Sequence, residues 1–87
     1  MFAYILRAKA APEDVTSDLF ARFKDTPGLL YAYDLQGEED PTDGVVVAVW
    51  ESREAAMRYL DTSVLRREAD ATVPDITRTF YRVLDSK

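Results

Sequence analysis

Cysteine, histidine and asparagine are all missing from the sequence, and each absence removes a body of chemistry. Without cysteine there is no disulfide framework and no thiol nucleophile, and a cytoplasmic setting is the default expectation. Without histidine, Ser-His-Asp and Cys-His arrangements, His- or Cys-ligated zinc and His-ligated haem are excluded together. No cofactor and no metal are therefore expected. Positive charge is also scarce: 11 Lys and Arg stand against 16 Asp and Glu, a net charge of −5. That balance argues against nucleic acid and anionic membranes as partners, since both need a basic face. No apolar run approaches the ~18 residues of a membrane-spanning helix, and the opening "MFAYIL" meets Arg7 after six residues, so no secretory leader is expected either. Glycine and proline number only three and four, and there is no linker, repeat or low-complexity stretch.

What remains is a chain of 87 residues, 47% of them hydrophobic, long enough for one domain spanning 1–87 with a small core. Residues 2–9, "FAYILRAK", alternate as a strand, with Tyr4, Leu6 and Ala8 on one face and Ala3, Ile5 and Arg7 on the other. "APED" opens a helix with Pro12 in its first turn, and Val15, Leu19, Phe20 and Phe23 form its apolar stripe. "DTPG" stops it. "LLYAYDLQ" is a second strand, "GEEDPTDG" the loop of a hairpin, and "VVVAVW" a third strand. A second helix starts near Ser52, an N-cap, and carries Ala56, Tyr59 and Leu60 on one face; Ser63 is a second cap within it, and Pro74 ends it. "ITRTFYRVL", 76–84, is the last strand. The order βαββαβ is that of the ferredoxin-like α+β fold with a four-stranded antiparallel sheet.

Two helices cover one face of such a sheet, and the other face should then be polar. Here it is not. Val45, Val47 and Val49 point one way and Val46, Ala48 and Trp50 the other, so the third strand is apolar on both sides. A second copy of the chain, packed sheet to sheet, is the partner this pattern predicts, with Arg78 and Arg82 at the rim of that interface. The aromatic residues Tyr4, Tyr31, Tyr33, Phe80 and Tyr81 fit dimer packing better than an RNA-stacking platform, which needs a basic surround. The acids of "EEDPTD" lack the spacing of a calcium loop and read as a solvated hairpin loop.

The segment "TPGLLYAYDLQGEEDPTDGVVVAVWESREAAMRYLDTSVLRREADATVP" resembles the antibiotic biosynthesis monooxygenase-like family of dimeric α+β barrels. The recurring features are Pro27-Gly28 before the second strand, a Tyr within it, the strand ending "VWES", and an Ala- and Leu-bearing helix with a Ser cap inside it. The resemblance implies a homodimer and an oxygenase or related activity on a small molecule. In the haem-degrading branch the working positions are an Asn, a Trp and a His, which correspond to Arg7, Tyr59 and Ala69 here, so that chemistry is not implied. In the polyketide-oxidising branch they are a Trp, an Asn, a Tyr and an Arg; Trp50 is retained, while Val46, Ala56 and Asp70 stand at the others.

Three residues are candidates for binding a substrate. Trp50 is either one wall of a pocket between sheet and helices, donating its indole N–H, or a core anchor for the second helix. Arg7 either recruits an anionic ligand, or pairs with Asp34, Asp61 or Glu68, or extends its head to water. Tyr59 is a hydrogen-bond donor to the same ligand or a core residue with a wet tip. Two functions follow: a cofactor-independent monooxygenase acting on an electron-rich quinol- or phenol-type aromatic, or a non-catalytic homodimer that binds a small aromatic ligand or serves in assembly. The oxygenase reading wants a general base, and no acid is placed for it by the sequence alone.

Overall fold

The computed structural model describes residues 1–9, 13–73 and 75–87, and of residues 13–16 the backbone alone. Its elements run β1 (Phe2–Lys9), α1 (Glu13–Phe23), β2 (Leu29–Gln36), β3 (Asp43–Trp50), α2 (Arg53–Thr62), α3 (Val64–Thr72) and β4 (Thr77–Arg82). The strands form one antiparallel sheet in the order β2-β3-β1-β4, the βαββαβ arrangement read from the sequence. Pro12 and Pro74, the expected start and stop signals, lie outside the described residues. β3 begins at Asp43, earlier than the apolar run, and β4 is shorter than the pattern predicts.

The second helix does divide at Ser63. The Ser52 hydroxyl accepts from the Ala55 N–H at 3.1 Å and caps α2. Ser63 then ends that helix, its N–H donating to the Tyr59 carbonyl at 3.0 Å. Its hydroxyl also accepts from the Arg66 N–H at 3.3 Å and so starts α3. One residue serves both termini, which fixes the bend without a proline. The β2–β3 loop is folded by its own groups: Asp40 Oδ1 accepts from the N–H and the hydroxyl of Thr42, at 3.0 and 2.6 Å. These bonds hold the Asp40 carboxyl below its usual pKa. Among the described residues no cluster of acids is arranged to hold a metal.

Register decides which side chains share a face. Phe2, Tyr4, Leu6 and Ala8 lie beside Trp50, Ala48, Val46 and Gly44, and the helices cover this side. Trp50 is fully buried, its ring 6.1 Å from Tyr4, 6.0 Å from Phe23 and 5.5 Å from Tyr59. Such tilted and edge-on contacts add about 0.5–1.5 kcal/mol each beyond the area they bury. Ala48, Ala55 and Ala56 are small enough to let α2 settle directly on the sheet around the indole. On the other side Ala3, Ile5 and Arg7 lie beside Val49, Val47 and Val45, and these beside Tyr31, Tyr33 and Leu35. Tyr31 and Tyr33 are 61% and 59% exposed there, so the outer face is apolar and uncovered in the single chain. Among the described residues no helix is long and apolar enough to cross a membrane.

Gly28 sets the approach of β2 to α2. Its φ is +86°, and a Cβ placed there would stand 2.6 Å from the Ala55 Cβ. Its carbonyl also accepts from the Glu51 N–H at 2.9 Å. Gly28→Ala is therefore expected to cost about 1–3 kcal/mol from the left-handed backbone alone, with the overlap on Ala55 added. Urea denaturation should show a lower midpoint with an unchanged slope.

Candidate functional site

Alternation of side chains places small residues where depth is needed. Ala8 and Gly44 face each other across β1 and β3, and beside them the sheet floor is Leu6 and Val46. α1 supplies Leu19, Phe20 and Phe23 as one wall, and Ala69 of α3 closes part of the roof. The result is a largely apolar cleft of about 110 Å³. An apolar cavity of about 150 Å³ is known to accept benzene; this cleft is smaller but open on one side, so a single aromatic ring is the most it takes.

Few polar groups line it, and they are chemically distinct. Arg78 of β4 stands opposite Leu6, with a side chain only 11% exposed. Its Nη2 donates to Asp70 Oδ1 at 3.0 Å, while Asp70 Oδ2 lies 2.9 Å from Arg66 Nε. Two guanidinium groups thus share one carboxylate and leave one net positive charge beside an apolar cleft. The Nε–H of Arg78 is buried and without a partner among the described residues. A buried donor left unpaired costs about 1–3 kcal/mol, and other atoms of the Arg78 side chain line the cleft.

Tyr4 and Tyr59 supply phenolic hydroxyls at the same place. Burial pushes the Tyr4 hydroxyl well above the ordinary tyrosine range, with Tyr59 adding to the shift and Arg78 opposing it. Burial also raises Tyr59, again with Arg78 opposing. Both therefore stay protonated at neutral pH and act as hydrogen-bond donors. Asp34 lines the opposite end of the cleft from edge strand β2. Partial burial raises its carboxyl above the usual range.

Of the three residues expected to bind substrate, only Tyr59 lines the cleft. Trp50 lies behind it, packed against Tyr59 and closed off from solvent, with its Nε1–H unpartnered among the described residues. The space directly beneath α2 is filled by this indole and its alanine neighbours; the opening lies instead under α1 and α3. Arg7 is on the outer face of the sheet, because odd-numbered positions of β1 point away from the helices. Its Nε lies 3.3 Å from Asp43 Oδ1, a different acid from the three considered. Arg78, expected at the rim of the outer face, turns inward to Asp70, since its register partner Leu6 faces the helices.

Tyr4, Arg78 and Asp34 are the site groups that the sequence pattern did not assign to a site: Tyr4 was expected in dimer packing, yet it is buried and lines the cleft. Period-two alternation already put Asp34 with Ala32, away from Tyr31 and Tyr33, but which side the helices occupy follows from pairing between distant strands. Val46 and Ala69, which stand where the resembling family's branches carry an Asn and a His, both line this cleft.

Comparison with known proteins places this architecture. By sequence, no protein-family profile and no curated protein matches the chain. Its structure is similar to that of a Deinococcus radiodurans protein provisionally named an antibiotic biosynthesis monooxygenase, with a TM-score of 0.80 at 16% identity over 100% of this chain and 96% of that one. It is also similar to SnoaB, a cofactor-independent oxygenase from Streptomyces nogalater, with a TM-score of 0.79 at 20% identity over 98% and 94%. A Nitrosomonas europaea protein given the same provisional name superposes with a TM-score of 0.69 at 20% identity over 98% and 100%. At these identities the likeness establishes the fold, and the βαββαβ fold of the single chain is the one expected from the resemblance.

The raised carboxyl of Asp34 has a definite sign. A carboxyl whose folded pKa exceeds its unfolded value near 3.9 opposes folding once ionised. The penalty is absent below the unfolded pKa and complete above the folded one. Asp34→Asn is therefore expected to be more stable than the parent at pH 7 and to lose that advantage by about pH 3, as read by urea denaturation at the two pH values.

Proposed function

We propose, on the premise that the chain has the fold of the antibiotic biosynthesis monooxygenase structures, that it is a monooxygenase acting on a small electron-rich aromatic of the phenol or quinol type. The observation that carries this reading is the nearly buried Arg78 guanidinium, sharing one carboxylate with Arg66, at the wall of a small apolar cleft. A phenolate bound there would gain a charge-assisted hydrogen bond from Arg78 and a neutral one from Tyr4 or Tyr59. Such an anion is itself a reductant for O₂. One oxygen atom would enter an electron-rich ring carbon, and the other would leave as water with two substrate hydrogens, the ring becoming a quinone. The residues of the chain would bind the anion, orient it and exclude water. SnoaB, of the same fold, is described as working without a cofactor, which supports the same reading here. Trp50 enters as the support that fixes the Tyr59 ring, and Arg7 takes no part. The lack of cysteine favours a cytoplasmic setting.

Self-association through the outer face belongs to the same proposal. Val45, Val47, Val49 and Ile5 form its centre and exposed Tyr31, Tyr33 and Tyr81 its flanks. Its charged Arg7 and Asp43 are paired with each other, so the patch is uncharged and can meet its own copy about a two-fold axis without repulsion. Val47→Glu would set like charges close to that axis. The parent is expected to have twice the chain mass by native mass spectrometry, and Val47→Glu the mass of one chain.

The activity is tested by oxygen uptake with a panel of single-ring phenols. Arg78→Met should lower the rate by about 10²–10³-fold, the usual loss when one donor to a developing oxyanion is removed. Arg7→Ala should leave it unchanged. Phenol binding without oxygen uptake by the parent protein would establish the ligand-binding homodimer instead.

A further inference from the structure

Strand register lines up four residues in one row across the helix-covered face. Asp34 of β2 pairs with Val46 of β3, Val46 with Leu6 of β1, and Leu6 with Arg78 of β4. All four line the cleft. The row therefore has a carboxylate at one end, a guanidinium at the other, and two apolar side chains between them. Three strand spacings of about 4.8 Å separate the two ends by roughly 14 Å between backbones. The Arg78 head is turned toward α3 by its bond to Asp70, so the guanidinium does not reach across and close the gap. Among the described residues Asp34 has no ion-pair partner, although Arg78 carries positive charge in the same cleft.

Resting on the phenol-binding reading above, we propose that Asp34 is a specificity-determining residue that reads the far end of the substrate ring. It selects aromatics with a second hydrogen-bond donor para to the oxygen held by Arg78. The ring then lies flat along the row, over Val46 and Leu6. Geometry favours para over meta because the two polar ends are collinear across the sheet, and a six-membered ring spans them only through opposite carbons. A hydroxyl or amino group at that end donates to the Asp34 carboxylate, whose side chain leans toward the ring to close the remaining distance. Asp34 is on an edge strand and exposed, so substituents beyond the para group can project past it into solvent. The raised pKa of its carboxyl fits a charge that lacks a partner until such a ligand arrives.

The probes that test this are phenol, benzene-1,4-diol and benzene-1,3-diol, titrated into the parent protein without oxygen and followed by amide NMR shifts. The 1,4-diol should bind about ten-fold or more tightly than the other two, as a charge-assisted hydrogen bond requires, with shifts centred on Leu6, Val46 and Asp34. In Asp34→Ala the three should bind alike. Equal binding of all three to the parent, within the cleft, would overturn the role of Asp34 and leave the phenol-binding reading standing. A preference for the 1,4-diol that survives in Asp34→Ala would overturn it as well. Binding of none of them would overturn both.

Discussion

The burial of Trp50 between the sheet and α2 is the contact that positions everything else. Its ring meets Tyr4, Phe23 and Tyr59, so one residue joins β1, β3, α1 and α2. Ala48, Ala55 and Ala56 remove the bulk that would hold α2 away from the indole. Because α2 is drawn down so closely, no room is left beneath it. The open volume is displaced toward α1 and α3, where Ala8 and Gly44 keep the floor low. A larger side chain at Ala48 or Ala56 would push α2 outward and exchange a closed core for a different and poorer cavity.

Electrostatics inside the cleft follow from how a single carboxylate is shared. Asp70 lies against both Arg66 and Arg78, and Glu68, the next acid on α3, is committed to Arg22 of α1 at 2.9 and 3.0 Å. The Arg78 end of the cleft is thus left with an excess of positive charge in surroundings of low polarity, where an anion is stabilised more than it would be in water. A chain that is acidic overall keeps this one concentrated positive site on its inward face. Net charge alone gives no hint of it.

Much of the fold was legible in the sequence because its signals are local. Caps at Ser52 and Ser63, the turn at Pro27-Gly28 and the alternation of β1 to β3 each depend on a few neighbouring residues. The two-sided apolar character of "VVVAVW" likewise translated directly into an uncovered outer face. The site was less legible, for a physical reason. Alternation sorts side chains into two sets but does not say which set meets the helices; that depends on pairing between β1, β3 and β4, which are far apart in the chain. Arg7 and Arg78 illustrate both outcomes. Each is an arginine on an alternating strand, yet one faces out to Asp43 and the other in to Asp70. In sequence Asp34 reads only as a candidate partner for Arg7, because a single acid among tyrosines and leucines looks like a surface residue, and its row partners alone give it a further role.

α3 roofs the cleft without burying any residue fully, and much of its attachment is by charge: Glu68 to Arg22 on α1, and Asp70 to Arg78 on β4. The Glu68–Arg22 pair is exposed, so dissolved ions compete with it over a screening length of about 8–10 Å at ordinary salt, while the more buried Asp70–Arg78 pair is screened less. The packed indole cluster beneath α2 has no such sensitivity. The roof of the cleft is therefore more sensitive to ionic strength than its floor.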